Sequence, residues 1–280
     1  MGNMLKTFLL LGVLSVLLVT LGGFFGGQNG IMTAFFFSMV MNVGMYFFSD
    51  KLALSMSGAK PLPQGKYPKL FAMVQDITRR MSMPMPKLYI TPSPQANAFA
   101  TGRGPGHASV AVTEGILQTL PDDELKGVLA HELAHVKNRD ILVASIAAVL
   151  ASAISFIGNM AMWGGLSGGR DDEDTKDAGA VGILAAILLP IAASLVQLAI
   201  SRQREFGADE SGARTLGDGD PLARALVTIH NSTKKSPMRI NPAFSSLYIE
   251  NPTGGLGGTL INLFSTHPPV EERVKRLEKI

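Results

Sequence analysis

His131-Glu132-Leu133-Ala134-His135 is the stretch from which the fold is read outward, because its chemistry makes sense only on a helix. At about 100° per residue, a spacing of four leaves the two imidazoles about 40° apart on one face. Two neutral ring nitrogens can then grip one zinc ion. Glu132 projects about 100° round from His131, within reach of a water molecule beside the metal, which is the place for a general base. A start signal precedes the motif. Pro121 falls at a first helical position, and Asp122, Asp123 and Glu124 load the first turn with the charge its dipole favours.

Outward from this helix the chain becomes apolar. The 280 residues are 46% hydrophobic and 17% charged, beyond the usual range of a soluble domain. No acid or base occurs between Lys6 and Asp50, between Asp140 and Arg170, or between Asp177 and Arg202. These gaps predict four membrane spans, at about residues 7–25, 31–49, 141–163 and 178–200, each long enough for roughly 30 Å of hydrocarbon. The first is read as a retained span and not a cleaved signal peptide, since a second apolar run follows at once. Lys51, Lys60, Lys66, Lys69, Lys137, Arg139, Arg202 and Arg204 flank the spans on one side, which the positive-inside rule makes cytoplasmic. The uncharged turn at 26–30 and the loop from Arg170 to Asp177, with five acids against two bases, fall outside. Both termini then face the cytoplasm.

A net charge of +3 is accounted for by these flanking residues and gives no nucleic-acid surface. The absence of cysteine excludes disulfides, thiol nucleophiles and cysteine-ligated metal.

Two cytoplasmic pieces remain, 51–140 and 201–280. Either alone makes only a small core, so together they are expected to form one domain interrupted by the membrane hairpin of 141–200; residues 1–50 form the other hairpin. In the first piece Leu70, Val74 and Ile77 fall at helical spacing over Pro68–Met81. Lys87–Ile90, Gln95–Thr101 and Ser109–Thr113 are strand candidates, the last two separated by glycines at 102, 104 and 106. The expected fold class is α+β, mostly helical, with a small antiparallel sheet.

Catalytic zinc needs a third protein ligand and a position left for water. Glu205 is the candidate: it shares a helical face with Asp209, and the repulsion of that i,i+4 pair is relieved by a nearby cation. His135 lies six residues before the third span and Glu205 five after the fourth. Continuous helices therefore put both about 8 to 9 Å from the membrane edge. Asp209 then supports a ligand histidine through its outer nitrogen.

Paired N-terminal spans, Asn97-Ala98-Phe99-Ala100-Thr101-Gly102, the His131–His135 motif, the Glu205–Asp209 segment and Ser265-Thr266-His267-Pro268-Pro269 together resemble the HtpX family of bacterial inner-membrane zinc endopeptidases, related to the CAAX prenyl protease. The resemblance covers the whole chain. It implies a gluzincin-like protease domain with zinc on His131, His135 and Glu205, Glu132 as base, and Asp209 in support. His267 and Arg273 match positions that relatives use to stabilise the charge developing on the substrate carbonyl. Asn97 resembles a residue that holds substrate backbone, and Ser109, Val110, Ala111 and Val112 lie on a strand expected to be an edge that pairs with an extended peptide. Misfolded or damaged membrane proteins are the implied substrates, with self-cleavage among the implied activities. His107 and His230 receive no functional role.

Two other readings fit the residues less well. Cleavage within lipid would bury Asp122, Asp123, Glu124, Lys126, Lys137 and Arg139 at membrane depth, which is costly. A scaffold with structural zinc would close all four metal positions with protein ligands, leaving no use for Glu132.

Overall fold

The coordinates are a computed structural model. They describe residues 53–102, 104–141, 176–235, 249 and 267–280, with scattered helical positions between 9 and 51 and between 143 and 155. The expected spans at 7–25, 31–49 and 141–163 and the acidic, glycine-rich loop at 164–175 lie largely or wholly outside these residues. Among the described residues no helix is long and apolar enough to cross a membrane. The chain divides into two compact units, one comprising Met1–Tyr46 and Val143–Ser201, the other Phe47–Leu142 and Arg202–Ile280.

The second unit carries the candidate site. Its elements run β1 (Lys60–Pro61), α1 (Pro68–Met81), β2 (Lys87–Thr91), β3 (Ala98–Thr101), a 3-10 turn (Pro105–His107), β4 (Ser109–Thr113), α2 (Glu114–Thr119) and α3 (Asp122–Lys137). After the interruption come α4 (Lys176–Leu216, of which Arg202 onward belongs here), α5 (Asp220–Lys235) and α6 (Val270–Leu277).

Helix α1 has the bounds its periodicity predicts, and Leu70, Val74 and Ile77 are buried on one face. Pro121 is not the first helical residue of α3 but its N-cap. Its ψ of 160° is extended, while its carbonyl accepts the first helical bond from Leu125 N–H at 2.9 Å. A short helix, α2, which the sequence pattern does not predict, follows β4; Thr113 caps it, its hydroxyl accepting from Ile116 N–H.

The sheet corrects the sequence expectation. Its order is β1-β2-β4-β3, with β1–β2 and β3–β4 antiparallel but β2–β4 parallel, so it is mixed. The glycine turn makes the expected β3–β4 hairpin, yet the hairpin folds so that β4, not β3, lies against β2. Short strands show their facing pattern in sequence but not their neighbours. A second correction follows. Ser109, Val110, Ala111 and Val112 are buried in a central strand whose backbone is paired on both sides, so β4 has no edge to offer a peptide. The outer strands of the sheet are β1 and β3.

Helix α3 packs against α1, β3 and α5. Val128, Leu129 and Leu133 join Val74, Ile77, Leu226 and Ile229 in one core, each at 0% exposure. Complete burial of such side chains is worth roughly 1.5–3 kcal/mol apiece. Gly127 lets α5 approach: a Cβ there would lie 2.8 Å from Leu222 N.

Candidate metal centre

Because α3 is enclosed on nearly every side, His131 and Glu132 are buried, while His135, a turn further on, stays partly open. Helix α4 crosses it closely at Gly212, where a Cβ would lie 3.0 Å from His131 N. That approach brings Glu205 and Asp209 to the motif. His131, His135 and Glu205 each offer a ligand atom within 4.8 Å of the others.

Both histidines are oriented by carboxylates. Asp209 Oδ1 lies 2.9 Å from His131 Nδ1, and Asp140 Oδ2 lies 2.7 Å from His135 Nδ1. The ring proton therefore sits on Nδ1, and each Nε2 presents a lone pair. The two Nε2 atoms face one another at 3.0 Å, from rings 86° apart in plane. Two lone pairs so placed repel unless a cation lies between them. Glu205 Oε1 is 3.3 Å from His135 Nε2 and Oε2 is 3.7 Å from His131 Nε2. A tetrahedral ion with bonds of about 2.0–2.1 Å sets its ligand atoms roughly 3.3 Å apart, so the donor set fits. Glu205 Oε2 is buried, with His267 Nδ1 3.1 Å away.

Charge is arranged to match. Burial lowers His131 to about 4, helped by the neighbouring His135. Burial would lower His135 too, but the charge and hydrogen bond of Glu205 together with the charge of Glu132 outweigh it and leave His135 above the ordinary imidazole value. Burial alone would raise Glu205, yet His267 and His135 beside it hold it well below the usual carboxylate range. Glu132 differs: burial pushes it up to about 8, and Glu205 adds to this, against an opposing pull from His135 and the Ala100 N–H bonded to its carboxyl.

Arg273 is wholly buried. Its Nε donates to Asp209 Oδ2 at 2.9 Å and its Nη2 to Oδ1 at 2.7 Å, a two-pronged grip. Its Nη1 donates to the Ile249 carbonyl at 3.1 Å. Burial would raise Asp209, but Arg273 and then His131 hold it down to about 2. Nη2 also stands 3.5 and 3.4 Å from the two ring nitrogens of His131.

Other predicted residues lie nearby. Asn97 is fully buried; its Oδ1 accepts from Ala98 N–H, and its backbone is tied to Thr113 on both sides. The outer edge of β3 faces α3: Ala100 N–H donates to Glu132, and Ala98 C=O accepts from Ile249 N–H at 3.2 Å. Ser265 and Thr266 lie outside the described residues. Sequence reasoning missed Asp140, Arg204, Gly212 and Ala100.

Fold and site together define a metalloprotease built on two crossing helices. Residues 65–280 match the model of Peptidase family M48. Similar proteins include a Protease HtpX homolog of Pelotomaculum thermopropionicum, 50% identical with 98% of each chain covered, and one of Aquifex aeolicus, 51% identical over 93% of this chain and 87% of that one. The crystal structure of S. mikatae Ste24p shares the fold at a TM-score of 0.59 and 20% identity, covering 99% of this chain and 65% of that one. The chain belongs to the HtpX proteases of peptidase family M48.

Proposed function

We infer that the chain is a zinc-dependent endopeptidase of the bacterial cytoplasmic membrane, hydrolysing peptide bonds in misfolded or damaged membrane proteins. One observation carries the chemistry: His131 Nε2, His135 Nε2 and a Glu205 carboxylate oxygen converge, each imidazole backed by a carboxylate, with Glu132 beside them. Zinc held by these three would supply Lewis acidity to a water molecule and to the scissile carbonyl.

The protein's own groups do the rest. Glu132, ionised, takes a proton from the attacking water and passes it to the leaving amine. Ala100 N–H fixes the position of that carboxylate. His267, next to Glu205, is the donor for the negative charge that develops on the carbonyl oxygen. Arg273 acts chiefly through Asp209, which it grips twice, while its Nη1 also donates to Ile249 and stands 3.6 Å from Glu205 Oε2. Asn97 anchors the start of β3, and the outer-edge groups of that strand, Ala98 C=O and Ala100 N–H, are held by Ile249 and Glu132.

The charge-free stretches support a multi-pass membrane protein with both termini and the site cytoplasmic. Interruption of the catalytic unit between Leu142 and Arg202 agrees with a hairpin inserted there.

Metal analysis coupled to a proteolysis assay on the detergent-purified full chain tests this. Glu132→Gln should keep about one zinc per chain and lose about 100-fold or more in cleavage of an unfolded protein. Unchanged cleavage refutes the mechanism. A reporter fused after Ile280 should behave as cytoplasmic, and an external signal overturns the topology.

A further inference from the structure

His135 is served by a pair of charged residues that the motif does not contain. Asp140 stands five residues beyond it. On an unbroken helix the two side chains would point about 140° apart, roughly 7.5 Å along the axis, and could not meet. They meet because α3 ends at Lys137 and Arg139 takes a left-handed φ of 56°, which turns Asp140 back toward the ring. Left-handed backbone at an arginine is uncommon and costs energy.

The other oxygen of Asp140 receives the Arg204 guanidinium through Nε and Nη2, and Nη2 also reaches the Asn138 carbonyl at 3.4 Å. Asp140 and Arg204 are 6% and 8% exposed. An ion pair so buried gains little or nothing over apolar packing, so stability alone does not explain it. Its location is specific. The chain leaves this unit after Leu142 and re-enters at Arg202, so each partner lies two residues inside one crossing. The arrangement also repeats what Asp209 and Arg273 do for His131: a carboxylate on Nδ1, and an arginine on the carboxylate.

We propose that Asp140 and Arg204 are positioning residues for His135: Asp140 fixes the tautomer and direction of the ring, Arg204 fixes Asp140, and the pair anchors both to the chain crossings. This rests on the metal-centre reading above. A staple that merely closes a helix end would leave the metal's ligand field unaltered. Positioning would not.

The test uses full-length protein in detergent, with zinc affinity from competition against a chromophoric chelator and the visible absorption of bound cobalt as a report on ligand geometry. Asp140→Asn keeps the shape but lets an amide face Nδ1; it should bind both metals about 10- to 100-fold more weakly, with displaced cobalt bands. Should the stranded guanidinium prevent folding, the double variant Asp140→Asn, Arg204→Met removes it and should show the same loss. Arg204→Lys keeps the charge and should recover most of the affinity. Ser211→Ala, which breaks only the neighbouring bond from Asn138 Nδ2, should match wild type. A folded Asp140→Asn or double variant with wild-type affinity and spectrum overturns the proposal, as does an equal loss in Ser211→Ala. Wild type that binds no metal, like His135→Ala, refutes the metal-centre reading and this inference with it.

Discussion

Gly212 sets how closely the two site-bearing helices approach, and Gly212→Ala tests that claim with a single methyl group. The new Cβ would lie 3.0 Å from His131 N, 3.1 Å from Ala130 C and 3.2 Å from Ala130 O, all backbone atoms that cannot rotate away. Ordinary contact begins near 3.4 Å, so the helices must part by about 0.4 Å. Metal sites tolerate errors of about 0.2 Å in ligand distance. The displacement therefore falls on Glu205, two turns earlier on α4, and exceeds what the centre accepts. Stability has opposing terms: alanine gains about 1 kcal/mol in helix propensity, while forced overpacking costs roughly 1–3 kcal/mol. The net loss is expected at about 0–2 kcal/mol, small beside an expected zinc affinity loss of tenfold or more. Chemical denaturation of the metal-free protein and zinc competition would be measured side by side. A Gly212→Ala protein that binds zinc like wild type and unfolds at higher denaturant would refute the close-approach argument.

Metal affinity should rise with pH: His135 stands above the ordinary imidazole value, so its Nε2 sheds a proton on ligation, and zinc competition from pH 5.5 to 8 should show binding weakening as pH falls. Arg273→Met should destabilise the protein by about 3–5 kcal/mol by stranding buried Asp209, and the double variant with Asp209→Asn should recover much of that while still binding zinc poorly; denaturant titration of both decides it. Ala100→Pro removes the N–H that holds Glu132, so zinc content should persist while turnover falls at least tenfold in the same protease assay. Leu129→Ala, two residues before His131 but about 160° round α3 from it, should cost about 2–5 kcal/mol in unfolding free energy with zinc affinity unchanged, separating core stability from site geometry.

The helix carrying His131 and His135 was legible because a proline start signal, an acidic first turn and the four-residue spacing of the histidines are local signals. Glu205 and Asp209 were legible for a related reason: their i,i+4 spacing states that they share a face. What stayed hidden depends on the path of the chain between elements. Continuous helices were expected from His135 toward the apolar stretch, whereas the left-handed turn at Arg139 breaks that path and makes Asp140 a partner of His135. Nothing in Asn138-Arg139-Asp140 announces the turn, since arginine has no preference for it. Likewise Ser109–Thr113 showed a buried strand but not its two neighbours, and the strand proves central. Arg273 was legible as a site residue, yet its role in holding Asp209 became visible only through the two bonds they share.

The balance of buried charge connects these pieces to function. Glu132, Glu205, Asp209 and Asp140 are four carboxylates within the site, against two guanidiniums on Arg204 and Arg273. With all four ionised and both histidines neutral, two negative charges remain, which one divalent cation cancels. Without a cation, burial and Glu205 keep Glu132 protonated at neutral pH, a state in which it is no base. A cation at His131, His135 and Glu205 stands beside Glu132 and favours its ionised form. Base and metal are therefore coupled: the carboxylate acquires its charge only when the centre is filled. The coupling runs both ways, so Glu132→Gln, which cannot ionise, should release fewer protons than wild type when zinc binds. Equal proton release, measured in two buffers of different ionisation enthalpy, would place the ionisation elsewhere and leave Glu132 charged in the empty site.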